Sequence, residues 1–162
     1  MKPDTAIAPI LLKLRECMCH YLTDPATTPL GGPLCMCCLV WSDTVFTDGC
    51  DCECSDGSRG RAYIRFVEAT GASQERDPCP SGMLVTIELG IIRCYDPTIE
   101  VPPCETTETE ALVGLADLYA LRRIVSCCAA LPKRYTMGNA QPVGPQGGCI
   151  GATMQVTFRT SW

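Results

Sequence analysis

The residues best suited to chemistry in this sequence are its 14 cysteines, and one group of them has a spacing that a metal ion could use. Two residues separate Cys35 from Cys38, which is the bite of a zinc knuckle, and Cys50 and Cys52 follow downstream. Zinc favours four such thiolates in a tetrahedron. The second pair lacks the two-residue gap, so these cysteines are alternatively disulfide partners or small buried apolar residues. We name Cys35, Cys38, Cys50 and Cys52 as zinc candidates and predict no other cofactor.

A second set of cysteines favours disulfide bonding. Cys94 ends a predicted strand, and Cys128 closes a predicted helix on its expected buried face. A disulfide needs Cα atoms about 5.5–6 Å apart, which a helix packed on a sheet supplies where the two elements touch. We therefore expect a bridge from Cys94 to Cys128, the alternative being two unlinked core thiols. Cys149 and Cys79 are further candidates, and their connectivity stays open.

Catalysis lacks its usual residues. A nucleophilic cysteine or serine needs a base, and His20 is the only histidine of the chain. It follows Cys19 in a predicted helix, where adjacent side chains diverge by about 100°, so we expect a polar helix-end residue. Glu88 is the only acid inside a strong predicted strand, on a face that we expect to be solvated. The glycine-rich segment 142–151 precedes a strand and lacks the phosphate-loop ending, so we predict no enzyme and no catalytic residue.

Composition and charge set the class of protein. The chain has 162 residues, 46% of them hydrophobic, which is enough for one domain with its own core. The formal charge of −5 argues against binding modes that neutralise many phosphates of nucleic acid. The first residues carry charges where a secretory signal would be apolar, and no apolar run is long enough to cross a bilayer. We expect a soluble protein made in the cytoplasm, without membrane partners.

The periodicity of apolar residues predicts the elements that position these side chains. Spacings of three and four predict helices over about 9–22 and from the Thr106/Thr107 capping pattern to about 130. β-prone or alternating segments predict four strands, at about 34–46, 61–70, 83–94 and 152–159. The connections are expected to be loops, at about 23–33, 47–60, 71–82, 95–106 and 132–149. The resulting fold class is α+β in the order α-β-β-β-α-β, a largely antiparallel sheet with helices packed on one face of a single domain spanning 1–162.

Three segments carry a resemblance to a known group of proteins. They are Glu88-Leu-Gly-Ile-Ile-Arg-Cys94, Leu121-Arg-Arg-Ile-Val-Ser-Cys-Cys128 and Pro142-Val-Gly-Pro-Gln-Gly-Gly-Cys-Ile-Gly151. This combination resembles a Cys-rich group of small head-to-tail connector proteins from phages of actinobacteria. The predicted order of elements is similar to that of siphophage tail terminator proteins. The resemblance covers most of the chain from about residue 50 to residue 158.

The resemblance implies a structural role in the virion. Tail terminators form a hexameric ring that caps the major tail tube protein and offers its other face to the head-tail connector or stopper protein. Genomic DNA passes through such a ring without specific binding, which suits an acidic protein because a negative inner surface repels phosphate. The alternatives are another neck protein, either a stopper or an adaptor, and a zinc-binding Cys-rich interaction module. In a released particle we expect the cysteines to oxidise to bridges that persist.

Overall fold

The computed structural model describes residues 6–43, 60–71, 82–94, 101–146 and 148–160. Within these residues two helices and five strands follow one another along the chain. They are α1 (Ala8–Thr23), β1 (Met36–Val40), β2 (Arg61–Gly71), β3 (Met83–Cys94), α2 (Cys104–Cys127), β4 (Tyr135–Gln146) and β5 (Cys149–Thr160). The α+β class and the single-sheet architecture are therefore confirmed.

The five strands form one mixed sheet in the order β1-β2-β3-β5-β4. β1 is parallel to β2, and the pairs β2/β3, β3/β5 and β4/β5 are antiparallel. The sheet is thus largely antiparallel, as predicted, with one parallel pair at an edge. β3 lies at the centre, so its residues are flanked by strands on both sides.

The segment 132–149, predicted to be a loop, contains the strand β4, and that prediction is wrong. Glycine and proline are unfavourable inside a sheet, but an edge strand tolerates them because one side makes no ladder hydrogen bonds. β4 is such an edge strand, and its register shifts between Met137 and Ala140 and again between Val143 and Gln146. These shifts accommodate the residues that made the segment look irregular.

The other boundaries agree closely with the periodicity. The strand predicted at 83–94 matches β3, and α1 extends the predicted helix by one residue at each end. α2 begins at Cys104, inside the loop predicted at 95–106, and the strand predicted at 34–46 ends at Val40 among the described residues. The predicted loop at 23–33 contains neither helix nor strand. The loops predicted at 47–60, 71–82 and 95–106 lie largely outside the described residues.

Both helices pack on the same face of the sheet. Every second residue of β3 points into this layer, and Val85, Ile87, Leu89 and Ile91 are fully buried there. α1 contributes Leu14, Met18 and Leu22, spaced four apart, and packs over β1 and β2, while α2 packs over β5 and β3. One helical layer therefore seals one face of the sheet. None of the helices in the described part of the chain has the length and apolar character of a membrane span.

Candidate interaction groove

The two halves of α2 differ in what they bury. Its second half contributes Ala120, Leu121, Ile124 and Val125 to the core, whereas Leu112, Leu115 and Tyr119 are exposed. The sequence predicted one buried stripe that included Ala111 and Leu115, and the structure corrects this for the first half of the helix. α2 has no apolar neighbour above that half, because α1 covers β1 and β2 instead.

A groove of about 550 Å³ lies between the first half of α2 and the hairpin formed by β4 and β5. Its lining is predominantly apolar, with Ala111, Leu115 and Leu118 from the helix and Pro142, Val143 and Ile150 from the hairpin. Gly114 also faces the groove, and a Cβ atom added there would meet no heavy atom within 4 Å. An apolar groove of this size with room at its centre fits an inserted side chain.

The rim of the groove is acidic. Thr107 and Glu110 line it, and Glu105 and Glu108 stand on the same end of α2. Acidic residues at a helix N-terminus are stabilised by the partial positive charge of the helix dipole, which explains why this end tolerates them. Residues 104–121 contain no lysine or arginine, whereas Arg122 and Arg123 follow directly. The helix therefore has an acidic first half beside the groove and a basic second half.

The floor of the groove is held by a buried ion pair. Arg93 of β3 donates from Nε and Nη2 to the two carboxylate oxygens of Asp117, at 2.7 and 2.8 Å. Its Nη1 donates to the carbonyl oxygen of Gly31 at 2.8 Å and to that of Gly32 at 3.3 Å. One guanidinium thus ties together the central strand, α2 and the loop between α1 and β1. Because every contact is charge-assisted and directional, the pair fixes where α2 lies and hence the width of the groove.

A second polar cluster lies on the opposite face of β3. Arg65 donates to both carboxylate oxygens of Glu88, at 3.2 and 3.1 Å, and the Tyr63 hydroxyl donates to Glu88 Oε1 at 3.1 Å. Arg65 also donates to the carbonyl oxygen of Asp43. The expectation of a solvated Glu88 is wrong, since these two side chains from β2 cover it and leave it buried. Burial raises the pKa of Tyr63, and the neighbouring Glu88 raises it further.

The predicted zinc ligands are divided in the structure. Cys35 is disulfide-bonded, and Cys38 lies one residue after Cys37 on β1, so the two side chains point to opposite faces. Cys37 faces α1, where burial and a hydrogen bond with Cys19 raise the pKa of its thiol. Cys50 and Cys52 lie outside the described residues. Among the residues that the structure does describe, no three ligand-type side chains form a metal-binding group, and the zinc site stays a prediction.

The predicted bridge from Cys94 to Cys128 is wrong. Cys128, at the end of α2, is bonded to Cys17 of α1 with a Cα–Cα distance of 5.9 Å. The helix crosses β3 at Asp117, and the eleven residues from there to Cys128 advance it by about 16 Å, away from Cys94. Cys94 moreover packs with Tyr63 and Ile92 on the face opposite the helices.

The remaining disulfide candidates have different outcomes. Cys149 is disulfide-bonded in the structure and lies opposite Cys94 in the β3/β5 register. Cys79 lies outside the described residues. The Cys17–Cys128 bridge joins the two helices, so the oxidised cysteines with a described partner connect elements of the helical layer.

Sequence reasoning missed Arg93, Asp117 and Trp41. A signal for Asp117 exists: it is the single acid in the second half of α2 and lies three and four residues before Ala120 and Leu121, on the buried stripe. Trp41 follows β1 and is 83% exposed, in stacking contact with Phe66. Nothing in its neighbourhood along the chain distinguishes an exposed from a buried tryptophan.

Comparison with known proteins adds no identity. No protein-family model matches the chain, and no curated protein is significantly similar to it in sequence.

Proposed function

We propose that this protein is a structural component of a siphophage virion, a tail terminator that assembles as a hexameric ring. One observation carries the proposal: large apolar side chains are exposed at two separate places, on the first half of α2 and at the β1 edge of the sheet. A subunit of a closed ring needs two different contact surfaces, one for each neighbour. Apolar surface at two separate places supports such heterologous contacts.

The polar interior supports a structural role in the same way. The two buried ion pairs, Arg93–Asp117 and Arg65–Glu88, are each bidentate and engage additional backbone or hydroxyl groups of the chain. Groups held this firmly position elements relative to one another. The ring would cap the major tail tube protein on one side and contact the head-tail connector or stopper on the other. With a net charge of −5, its inner surface would let DNA pass without adhesion.

Electron microscopy of the purified protein tests the proposal most directly. Six-fold rings in negative stain are the expected result, and monomers at every concentration would contradict it. Tail tubes assembled from the tube protein are then mixed with the rings, which should bind one tube end and stop further growth.

The same experiment separates the alternatives. A stopper or adaptor would form rings that bind the connector but leave tube growth unchanged. A zinc-binding module would hold metal in stoichiometric amount and unfold on chelation. Mass mapping under non-reducing conditions adds a check, because labelling of all 14 thiols in mature particles would exclude the expected bridges.

A further inference from the structure

Trp41 is presented at the β1 edge in a fixed orientation. Its ring stacks on Phe66 of β2 with centroids 4.9 Å apart and planes 20° from parallel, yet the residue is 83% exposed. Leu39 and Val67 are exposed beside it on β1 and β2. A large aromatic side chain held by stacking loses little conformational entropy when a partner covers it, which is typical of interface anchors.

The groove lies at the diagonally opposite corner of the same sheet. Phe66, under Trp41, is in register with Ile87, Val156 and Met137 across the strands. Pro142, in the groove, belongs instead to the register row of Ala152, Ile91 and Ala62. The protruding residue and the groove are therefore separated both across the sheet and along it. One copy cannot fill its own groove with Trp41, but a neighbouring copy can.

We propose that Trp41 of one copy inserts into the α2 groove of the next copy around the ring, an inference that rests on the proposed ring-forming function. The groove, at about 550 Å³, accommodates an indole together with a neighbouring apolar side chain. A buried tryptophan removes about 150–250 Å² from water, the largest contribution that a single side chain makes to an interface. Because knob and groove are different surfaces, each copy uses both, and the contact propagates head to tail until the ring closes.

Charge complementarity supports a second copy as the occupant. The groove rim carries Glu105, Glu108 and Glu110 without a nearby basic residue in the first half of α2. The part of the molecule formed by α1 and the second half of α2 is basic, with Lys13, Arg15, Arg122 and Arg123. Lys13 reaches the carbonyl oxygen of Ala129 just past α2, and the charge of Arg15 acts on Cys37 of β1. The end that carries Trp41 is thus basic and the end that receives it is acidic, which steers copies into a head-to-tail arrangement.

Two substitutions test the contact from its two sides. Trp41→Ala removes the knob, and Gly114→Leu fills the groove without a clash, because a Cβ atom at this position meets open space. Leu30→Ala removes an exposed leucine outside both surfaces, and Gly114→Ala changes helix propensity while leaving the groove open. Sedimentation velocity over a concentration series measures self-association, and thermal unfolding verifies that each variant is folded. We expect Trp41→Ala and Gly114→Leu each to weaken self-association by at least about 10-fold, with both controls like wild type.

Mixing the two variants gives the sharpest outcome. Trp41→Ala retains an open groove and Gly114→Leu retains the knob, so an equimolar mixture should form 1:1 dimers that cannot grow further. Tryptophan emission in a Trp162→Phe background, where Trp41 is the remaining tryptophan, should shift to shorter wavelength on assembly. Dimers in the mixture and monomers of each variant alone confirm a heterologous contact between these two surfaces.

The contrary results distinguish the inference from the function on which it rests. If wild type forms rings and both variants form them equally well, the Trp41 contact is wrong while the ring stands. If wild type forms head-to-tail filaments that both variants abolish, the contact is right and the terminator proposal is wrong. Wild-type monomers at every concentration overturn both.

Discussion

The two faces of β3 each bury an arginine–carboxylate pair, and the pairs do different work. Arg65 and Glu88 are directly opposite each other in the β2/β3 register, so the sheet itself brings them together. Arg93 and Asp117 belong to different layers and meet only because α2 lies where it does. Side-chain exposure follows this difference: 17% and 9% for Arg65 and Glu88, 8% and 1% for Arg93 and Asp117. The inter-layer pair is the more deeply buried and depends on the tertiary arrangement.

The comparison predicts its largest effect at Asp117. Asp117→Ala leaves the Arg93 guanidinium buried without its counter-ion, which costs about 3–5 kcal/mol of unfolding free energy. Urea denaturation measures this loss. Asp117→Asn keeps the shape and serves as the milder control, and the double substitution Arg93→Met with Asp117→Leu should regain most of the stability. A loss below about 1 kcal/mol for Asp117→Ala would show that the pair does not hold the layers together.

Glu88→Ala should cost less, about 2 kcal/mol, because Arg65 is more exposed and can recruit water. The same denaturation series measures it. Glu88→Gln keeps an acceptor for the Tyr63 hydroxyl, so its cost should be smaller still. An effect of Glu88→Ala that exceeds that of Asp117→Ala would reverse the ranking of the two pairs.

The open face of β3 is also shaped by Gly90. Tyr63 lies directly across from it in the register, and a Cβ atom at position 90 would overlap the tyrosine ring. Gly90→Ala should therefore cost about 1–2 kcal/mol by displacing Tyr63 from Glu88. Gly114→Ala is the matched control, since the added methyl group meets open space. Wild-type stability of Gly90→Ala would mean that the ring moves aside without consequence.

The smallest effect is expected at the Tyr63 hydroxyl. Tyr63→Phe removes one hydrogen bond to Glu88 and should cost about 1 kcal/mol at neutral pH. Burial and Glu88 raise the tyrosine pKa above its ordinary value of 10.0 in the folded state. The proton is thus bound more tightly when folded, so this contribution is complete below pH 10 and is lost as the pH rises above it. The stability gap between wild type and variant, measured from pH 8 to pH 11, should shrink above pH 10, and a constant gap would argue against a raised pKa.

Local pattern and tertiary arrangement divide the candidate site between them. The apolar spacing of 9–22 and the alternation of 61–70 and 83–94 predict α1, β2 and β3 well, because side chains along one element report the face that it buries. The groove depends on where the first half of α2 lies beside β4. Since β4 has no alternation and α2 no single stripe, neither could be placed from periodicity.

The sequence by itself determined the α+β class, both helices and the central strands, since these follow from periodicities within single segments. Only the tertiary structure decided that β1 runs parallel to β2, that Cys128 bonds to Cys17, that Asp117 is buried against Arg93 and that Trp41 stands exposed. Each of these depends on the distance between elements that are far apart in the chain. A helix of 24 residues advances about 36 Å, so a residue's partner depends on where along the helix the crossing falls.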